Sequence, residues 1–245
     1  MNLQSENHMT FEHHFQWNGR CGPLDLILSE HTFQPSTVSM LMAEALEIRD
    51  TDTVIDAGCG SGVLSIVAAK LGARRVVGID AVADVVDVAS ENARRHGVSH
   101  VTSFYQGDLF APLGSEFRAD VIIGDVSGIP DELAAVSGWF PGGIGGGPSG
   151  AELPMRMLDA ARRWLAPGGR LFLPTGSLQD ESSILEKARD LYGDLVKLVE
   201  RNIPFPSQLA KAPEVLRLIR EHIISLTPKG SRYLWTARVW VAAGS

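Results

Sequence analysis

A chain of 245 residues, 44% hydrophobic and 21% charged, holds enough apolar material for one large α/β domain and shows no compositional sign of global disorder. Its formal net charge of -7 gives no general attraction to phosphate backbones, which disfavours RNA or DNA as a partner; Arg94, Arg95 and His96 make only a small basic patch. Two cysteines, Cys21 and Cys59, exclude a disulfide framework and suit a reducing, cytoplasmic setting, while the absence of a long apolar run or an apolar signal core in Met1–Thr10 argues against membrane insertion and export.

Residues 1–19 are polar, with His8, His13 and His14 set among Phe11, Phe15 and Trp17, and read as a mobile arm or lid. Leu24–Phe33 reads as extended, because Leu24, Leu26 and Leu28 alternate with Asp25 and Ser29. Pro35 then opens a helix through about Ile48, with Val38, Leu41, Met42, Ala45 and Leu46 at helical spacing. From Thr53 the pattern alternates. Strands are expected at Thr53–Ala57, Arg75–Asp80, Val101–Gln106, Asp120–Val126 and Arg170–Pro174, and helices at Val63–Leu71, Val82–His96, Glu152–Leu165 and Glu181–Tyr192. Val196–Ile203 and Tyr233–Ala242 are further expected strands, read as an antiparallel edge, and Pro213–His222 a further expected helix. Such alternation predicts a Rossmann-like, doubly wound, mainly parallel sheet of seven strands with helices on both faces. Pro204-Phe205-Pro206 is expected to break the sheet and begin an insertion near 204–226.

Asp56-Ala57-Gly58-Cys59-Gly60-Ser61-Gly62 lies between a strand and a helix, the context in which a glycine-rich turn binds ligands. Without Cβ atoms, Gly58, Gly60 and Gly62 let the backbone turn tightly and approach a bound group. Asp80 ends the next strand, where a carboxylate can accept both hydroxyls of a ribose; a helix-capping role is compatible with that. The following strand ends at Gly107-Asp108-Leu109, where a carboxylate can accept from an adenine amino group, or simply stabilise a turn. Ala81 and Leu109, next to the two carboxylates, join the candidate cofactor contacts. Taken alone, the paired carboxylates do not separate a nicotinamide dinucleotide from S-adenosylmethionine (SAM).

The whole set, Asp56-x-Gly58-x-Gly60-x-Gly62, Asp80, Gly107-Asp108 and Leu165-x-Pro167-Gly168-Gly169, resembles the motifs of class I SAM-dependent methyltransferases. Within them the chain is similar to the group of ribosomal-protein L11 and release-factor glutamine-N5 methyltransferases. Phe33-x-Pro35-Ser36 and Gly145-Gly146-Gly147-Pro148-Ser149-Gly150-Ala151-Glu152 resemble that group's flanking segments, and the likeness spans roughly residues 24–177. The resemblance implies that Gly58, Cys59, Gly60 and Gly62 border the cofactor, Asp80 holds the ribose, Asp108 the adenine, and Asp56 approaches the methionine ammonium. It also implies residues 1–49 as an N-terminal cap and 50–245 as the SAM-binding domain.

One departure stands out. Glutamine-N5 and adenine-N6 enzymes carry Asn-Pro-Pro-Tyr after the fourth strand, where this chain reads Gly124-Asp125-Val126-Ser127-Gly128-Ile129-Pro130. Asp125 is therefore a candidate general base, a holder of a substrate amine, or a structural cap, and it also joins the candidate cofactor contacts. Ser127, His31 and Trp139 are candidate substrate contacts, with Trp139-Phe140-Pro141 anchoring a glycine-rich loop that could close over the site. Cys59 reads as a small turn residue rather than a nucleophile, and His13-His14 lacks the partners of a metal site. The loss of the amide-gripping motif and the acidic charge together favour methyl transfer to a nitrogen or oxygen of a small molecule over a protein side chain. Aminoalkyl transfer or cyclisation on the same fold, an NAD-dependent oxidoreductase and a non-catalytic SAM-binding scaffold are the alternatives; the Gly-x-Gly-x-Gly spacing counts against NAD.

Overall fold

The computed structural model describes residues 13–244; His8 and Phe11 of the expected arm lie outside them. In chain order the elements are β1 (His13–Trp17), β2 (Leu24–Leu28), α1 (Thr37–Ala45), β3 (Thr53–Ala57), α2 (Val63–Lys70), β4 (Arg75–Asp80) and α3 (Ala83–Arg95). Next come β5 (Thr102–Gln106), β6 (Ala119–Ile123), α4 (Asp131–Ser137), α5 (Glu152–Ala161) and β7 (Leu165–Gly176). The chain finishes with α6 (Glu181–Tyr192), β8 (Leu195–Phe205), α7 (Pro213–Arg220), β9 (Thr227–Lys229) and β10 (Arg232–Ala243). The main sheet runs β5-β4-β3-β6-β7-β10-β8, with β9 added beside β10. Strands β3 to β7 pair in parallel, and β10 runs antiparallel to both β7 and β8. This is the Rossmann-like sheet with an antiparallel edge.

Val54, Ile55, Val76, Val77, Val121, Ile122 and Ile123 are almost wholly buried, as expected of parallel strands covered on both faces. One face packs against α1, α2, α3 and the β1–β2 hairpin, the other against α5 and α6. A smaller third cluster, with Leu133, Phe205, Val215 and Leu218, fills the space under α4 and α7.

Four local expectations change. The segment from His13 to Trp17 is a strand paired with β2 rather than a loose arm, because Trp17 is fully buried and its indole N–H donates to the Arg20 carbonyl at 3.1 Å. Helix α5 stops at Ala161, since the Trp164 carbonyl is drawn into the ladder, accepting from Ala119 N at 2.8 Å. Pro204 and Phe205 remain in β8, paired with Leu234 and Tyr233. As the last strand in the order, β8 can lose the proline N–H without breaking a central ladder. Between β6 and the glycine-rich loop, where no element was expected, lies a helix, α4, which begins directly after Pro130 with Asp131 and Glu132 in its first turn.

The order of the sheet reverses between β3 and β6, and open α/β sheets bind ligands at the carboxyl ends of the strands at such a point.

Candidate active site

The turn after β3 is built by the backbone. Gly58 N and Cys59 N both donate to the Ile79 carbonyl, at 2.9 and 3.0 Å, folding the loop over the end of β4. Gly58 and Gly60 have φ of +77° and +51°, a region that L side chains rarely adopt. A Cβ on Gly58 would lie 2.9 Å from the Asp125 carbonyl oxygen, so this glycine lets the turn press against the end of β6. At Gly60 the same Cβ would meet nothing within 4 Å; bare main chain faces open space there. Gly62 faces α3 instead, where a Cβ would lie 3.1 Å from Ala89 Cβ.

Gly58 and Gly60 border a cavity of about 350 Å³, within the ~300–1,000 Å³ typical of ligand pockets. Its walls carry Gly58, Cys59, Gly60, Asp80, Ala81, Gly107, Asp108, Leu109, Asp125, Ser127 and His31, so most of the candidate residues meet in one place. Asp80 receives Gly60 N on Oδ2 at 3.0 Å and Val82 N on Oδ1 at 3.1 Å. Exposed Asp108 pairs with Arg156 at 2.6 Å. Ser127 Oγ donates to the Ile144 carbonyl at 3.2 Å, and His31 Nδ1 meets Asp84 Oδ2 at 2.9 Å.

Three candidates lie outside the cavity wall. Asp56 is buried behind the turn, where its Oδ2 accepts from Ser65 Oγ at 2.6 Å and its Oδ1 has no partner. Gly62 packs on α3 as described. Trp139 turns away into the third cluster, edge-on to Phe205 at 5.9 Å, and its neighbour Phe140 takes the place at the cavity. Phe140 stacks on Phe33 at 4.6 Å, joining the glycine-rich loop to the segment before α1.

Two carboxyls here hold their protons unusually late. Burial raises Asp56 to about 7, with Ser65 opposing and the nearby Asp125 and Asp80 carboxylates adding to the rise. Burial likewise raises Asp125 to about 6, against a hydrogen bond from Ser39. Burial first, and then Asp56 and Asp80, push the Cys59 thiol well above its ordinary range, so it is no ready nucleophile.

Sequence patterns did not reveal Asn92 or Gln179, and marked Phe33 only as part of a flanking segment. Fully buried Asn92 receives Ile27 N and donates to the carbonyls of Ile27 and Ser61, clamping β2 and the glycine turn to α3. Its only local signal is an amide on the apolar face of a helix. Phe33 and Gln179 also line the cavity, brought there by distant segments.

The open main chain at Gly60, the unpaired carboxylate oxygen of Asp56 and the carboxylates of Asp80 and Asp108 suit a cationic adenosyl compound. The sheet and this site define a class I SAM-dependent methyltransferase. A family described as Ribosomal protein L11 methyltransferase (PrmA) matches residues 33–128. A Methanocaldococcus jannaschii protein, provisionally named a protein N5-glutamine methyltransferase, is 30% identical over 185 residues, covering 74% of this chain and 91% of that one. The chain belongs to the family of that protein N5-glutamine methyltransferase, and it is similar to L11 methyltransferases over residues 33–128.

The Geobacillus kaustophilus ribosomal protein L11 methyltransferase is 34% identical over 145 residues, 59% of this chain but only 38% of that enzyme. The chain thus matches well under half the length of that L11 relative. Among solved structures, a T. thermophilus 16S rRNA N2 G1207 methyltransferase in complex with AdoMet and guanosine shares the fold. Its TM-score is 0.58 at 17% identity, over 95% of this chain and 50% of that one.

The relatives' names overturn the expected small-molecule acceptor, for they specify proteins: ribosomal protein L11 and protein glutamine. Loss of Asn-Pro-Pro-Tyr removes one way of gripping an acceptor without saying what grips in its place. The exclusion of nucleic acid also lapses, because the same fold serves an rRNA enzyme and a whole-chain charge does not describe one face. The NAD-dependent and aminoalkyl-transfer alternatives gain nothing from a family and relatives named as methyltransferases. Among the described residues, no helix is long and apolar enough to cross a membrane.

Proposed function

We propose that this chain methylates a nitrogen on a protein side chain, with Asp125 taking the proton that the nitrogen sheds. The observation that carries the proposal is Asp125 itself: a carboxyl in the cavity wall, pushed to about 6, beside the Gly58 turn. Such a group is ionised near neutral pH yet holds a proton better than an ordinary aspartate, which suits a general base.

Gly58, Cys59 and Gly60 line the methionine and ribose side of the cofactor, Asp80 and Ala81 the ribose, and Gly107, Asp108 and Leu109 the adenine. Asp56, buried behind the turn, acts on the ammonium end from outside the cavity wall, through its negative charge. SAM, when bound, supplies an electrophilic methyl whose leaving group is a neutral thioether, so little further activation is required. The protein orients the acceptor and excludes water, a contribution of ~7–11 kcal/mol in well-aligned reactions. His31 and Ser127 line the acceptor side, and the Phe33–Phe140 stack forms part of its mouth. Trp139 and the segment near 204–226 support that loop from behind, with the described part of the N-terminal segment, residues 13–49, as the cap beside the cofactor domain.

The experiment is transfer of labelled methyl from SAM to ribosomal protein L11 and to a glutamine-containing peptide. Label in either acceptor with release of S-adenosylhomocysteine supports the proposal; methylthioadenosine, or label only in small molecules, contradicts it.

A further inference from the structure

Gln179 lines the cavity from the short link between β7 and α6. The side chain is nine-tenths buried, 9% exposed, yet its Nε2 has no hydrogen-bond partner. A buried amide donor left unpaired is costly, and such groups are usually satisfied by a ligand or water. The link holding it is fixed from both sides: Asp180 N donates to the Ser149 carbonyl at 3.0 Å, and Ser177 N to the Thr236 carbonyl at 2.8 Å. Its carboxamide rests on Gly128, where a Cβ would lie 2.7 Å from Gln179 Oε1. Gly128 belongs to the loop after β6, three residues beyond Asp125, so the bare glycine admits the carboxamide beside the proposed base. Nearby Thr175 also lines the cavity, but its hydroxyl is engaged, donating to Glu181 at 2.5 Å and accepting from Trp240 Nε1 at 2.8 Å. The free donor on this wall is thus Gln179 Nε2.

We infer that Gln179 is a positioning residue for the methyl acceptor, its Nε2–H donating to a carbonyl oxygen of the acceptor while Asp125 receives that acceptor's N–H. A donor and an acceptor that both meet the loop after β6 suit a group that carries C=O and N–H together, as a side-chain carboxamide does. This rests on the protein side-chain reading above. It predicts discrimination against bare amines, which offer no oxygen to Gln179.

The test is the side-chain amide resonance of Gln179 in ¹⁵N-labelled protein saturated with S-adenosylhomocysteine, assigned by its loss in Gln179→Met. Adding N-acetyl-glutamine-N-methylamide should shift that resonance, and n-butylamine should not. In the labelled-methyl assay with a glutamine-containing peptide, Gln179→Met should raise KM about tenfold, as expected for one lost hydrogen bond, with SAM affinity unchanged. A Gln179 signal that stays still while other cavity resonances respond to the amide overturns the assignment, as does one that moves fully with S-adenosylhomocysteine alone. Calorimetric titration with SAM separates the two readings: no SAM binding removes the methyltransferase site itself, whereas intact SAM binding with a silent Gln179 removes only this role.

Discussion

The Asp80 carboxylate accepts Gly60 N at 3.0 Å, tying the end of β4 to the turn after β3. One side chain therefore shapes the turn and presents its charge to the cavity. Asp80→Ala should remain folded, because Asp80 is not part of the hydrophobic core, but lose at least tenfold in SAM affinity. A hydrogen bond to a charged group is worth about 1.5–3 kcal/mol. Thermal melting checks the fold and calorimetry the affinity; unchanged affinity contradicts the ribose assignment.

Gly58 and Gly60 should respond differently to alanine. At Gly58 the new Cβ would press on the Asp125 carbonyl, so Gly58→Ala should lose about 2 kcal/mol or more of stability and distort both loops. At Gly60 it meets no protein atom, and the positive φ costs only about 1 kcal/mol. Gly60→Ala should therefore stay folded and fail in SAM binding. Equal melting temperatures for the two variants would contradict this contrast.

A base with its proton affinity near 6 must be ionised to act, so kcat should rise with pH through about 6 and then level. Asp125→Asn should keep SAM affinity, lower kcat on the order of 10²-fold and lose that rise. A pH–rate profile of both proteins is the check, and the same ascending limb in the variant would remove Asp125 as base.

Asp56 predicts an effect on stability. In the folded protein it keeps its proton up to about 7, whereas an ordinary aspartate releases it near 3.8. Between these values the native state binds more protons than the unfolded one, so this group's contribution to stability falls as pH rises from about 4 to 7. The full difference is on the order of 4 kcal/mol. In Asp56→Asn this component should vanish, giving a flatter profile of ligand-free melting temperature between pH 5 and 8. An unchanged slope would show that Asp56 ionises as easily as an exposed aspartate.

That most of the proposed cofactor residues meet at one cavity was legible because their signals are local. Glycines at a strand–helix turn and carboxylates at strand ends depend on a few neighbouring residues, and Gly58, Gly60, Asp80 and Asp108 all reach the cavity. Trp139 shows the limit of that approach: its neighbour Phe140 occupies the expected place, since adjacent side chains on an irregular loop can point apart. Trp17 looked like part of a polar arm because its burial comes from a hairpin partner and α-helical neighbours elsewhere in the chain. Asn92 and Gln179 were hidden for a similar reason. The three-way clamp of one and the unpaired donor of the other exist only after distant segments meet. Acceptor choice depends on such assembled walls, and net charge with one missing motif was a poor guide to it.

The most direct measurement is calorimetric titration of the purified chain with SAM and, separately, with NAD. Saturable one-to-one binding of SAM, weakened in Asp80→Ala and absent for NAD, is the expected result. Binding of NAD, or no heat with SAM from a folded sample, would contradict the assignment of the glycine turn and its carboxylates to an adenosyl sulfonium.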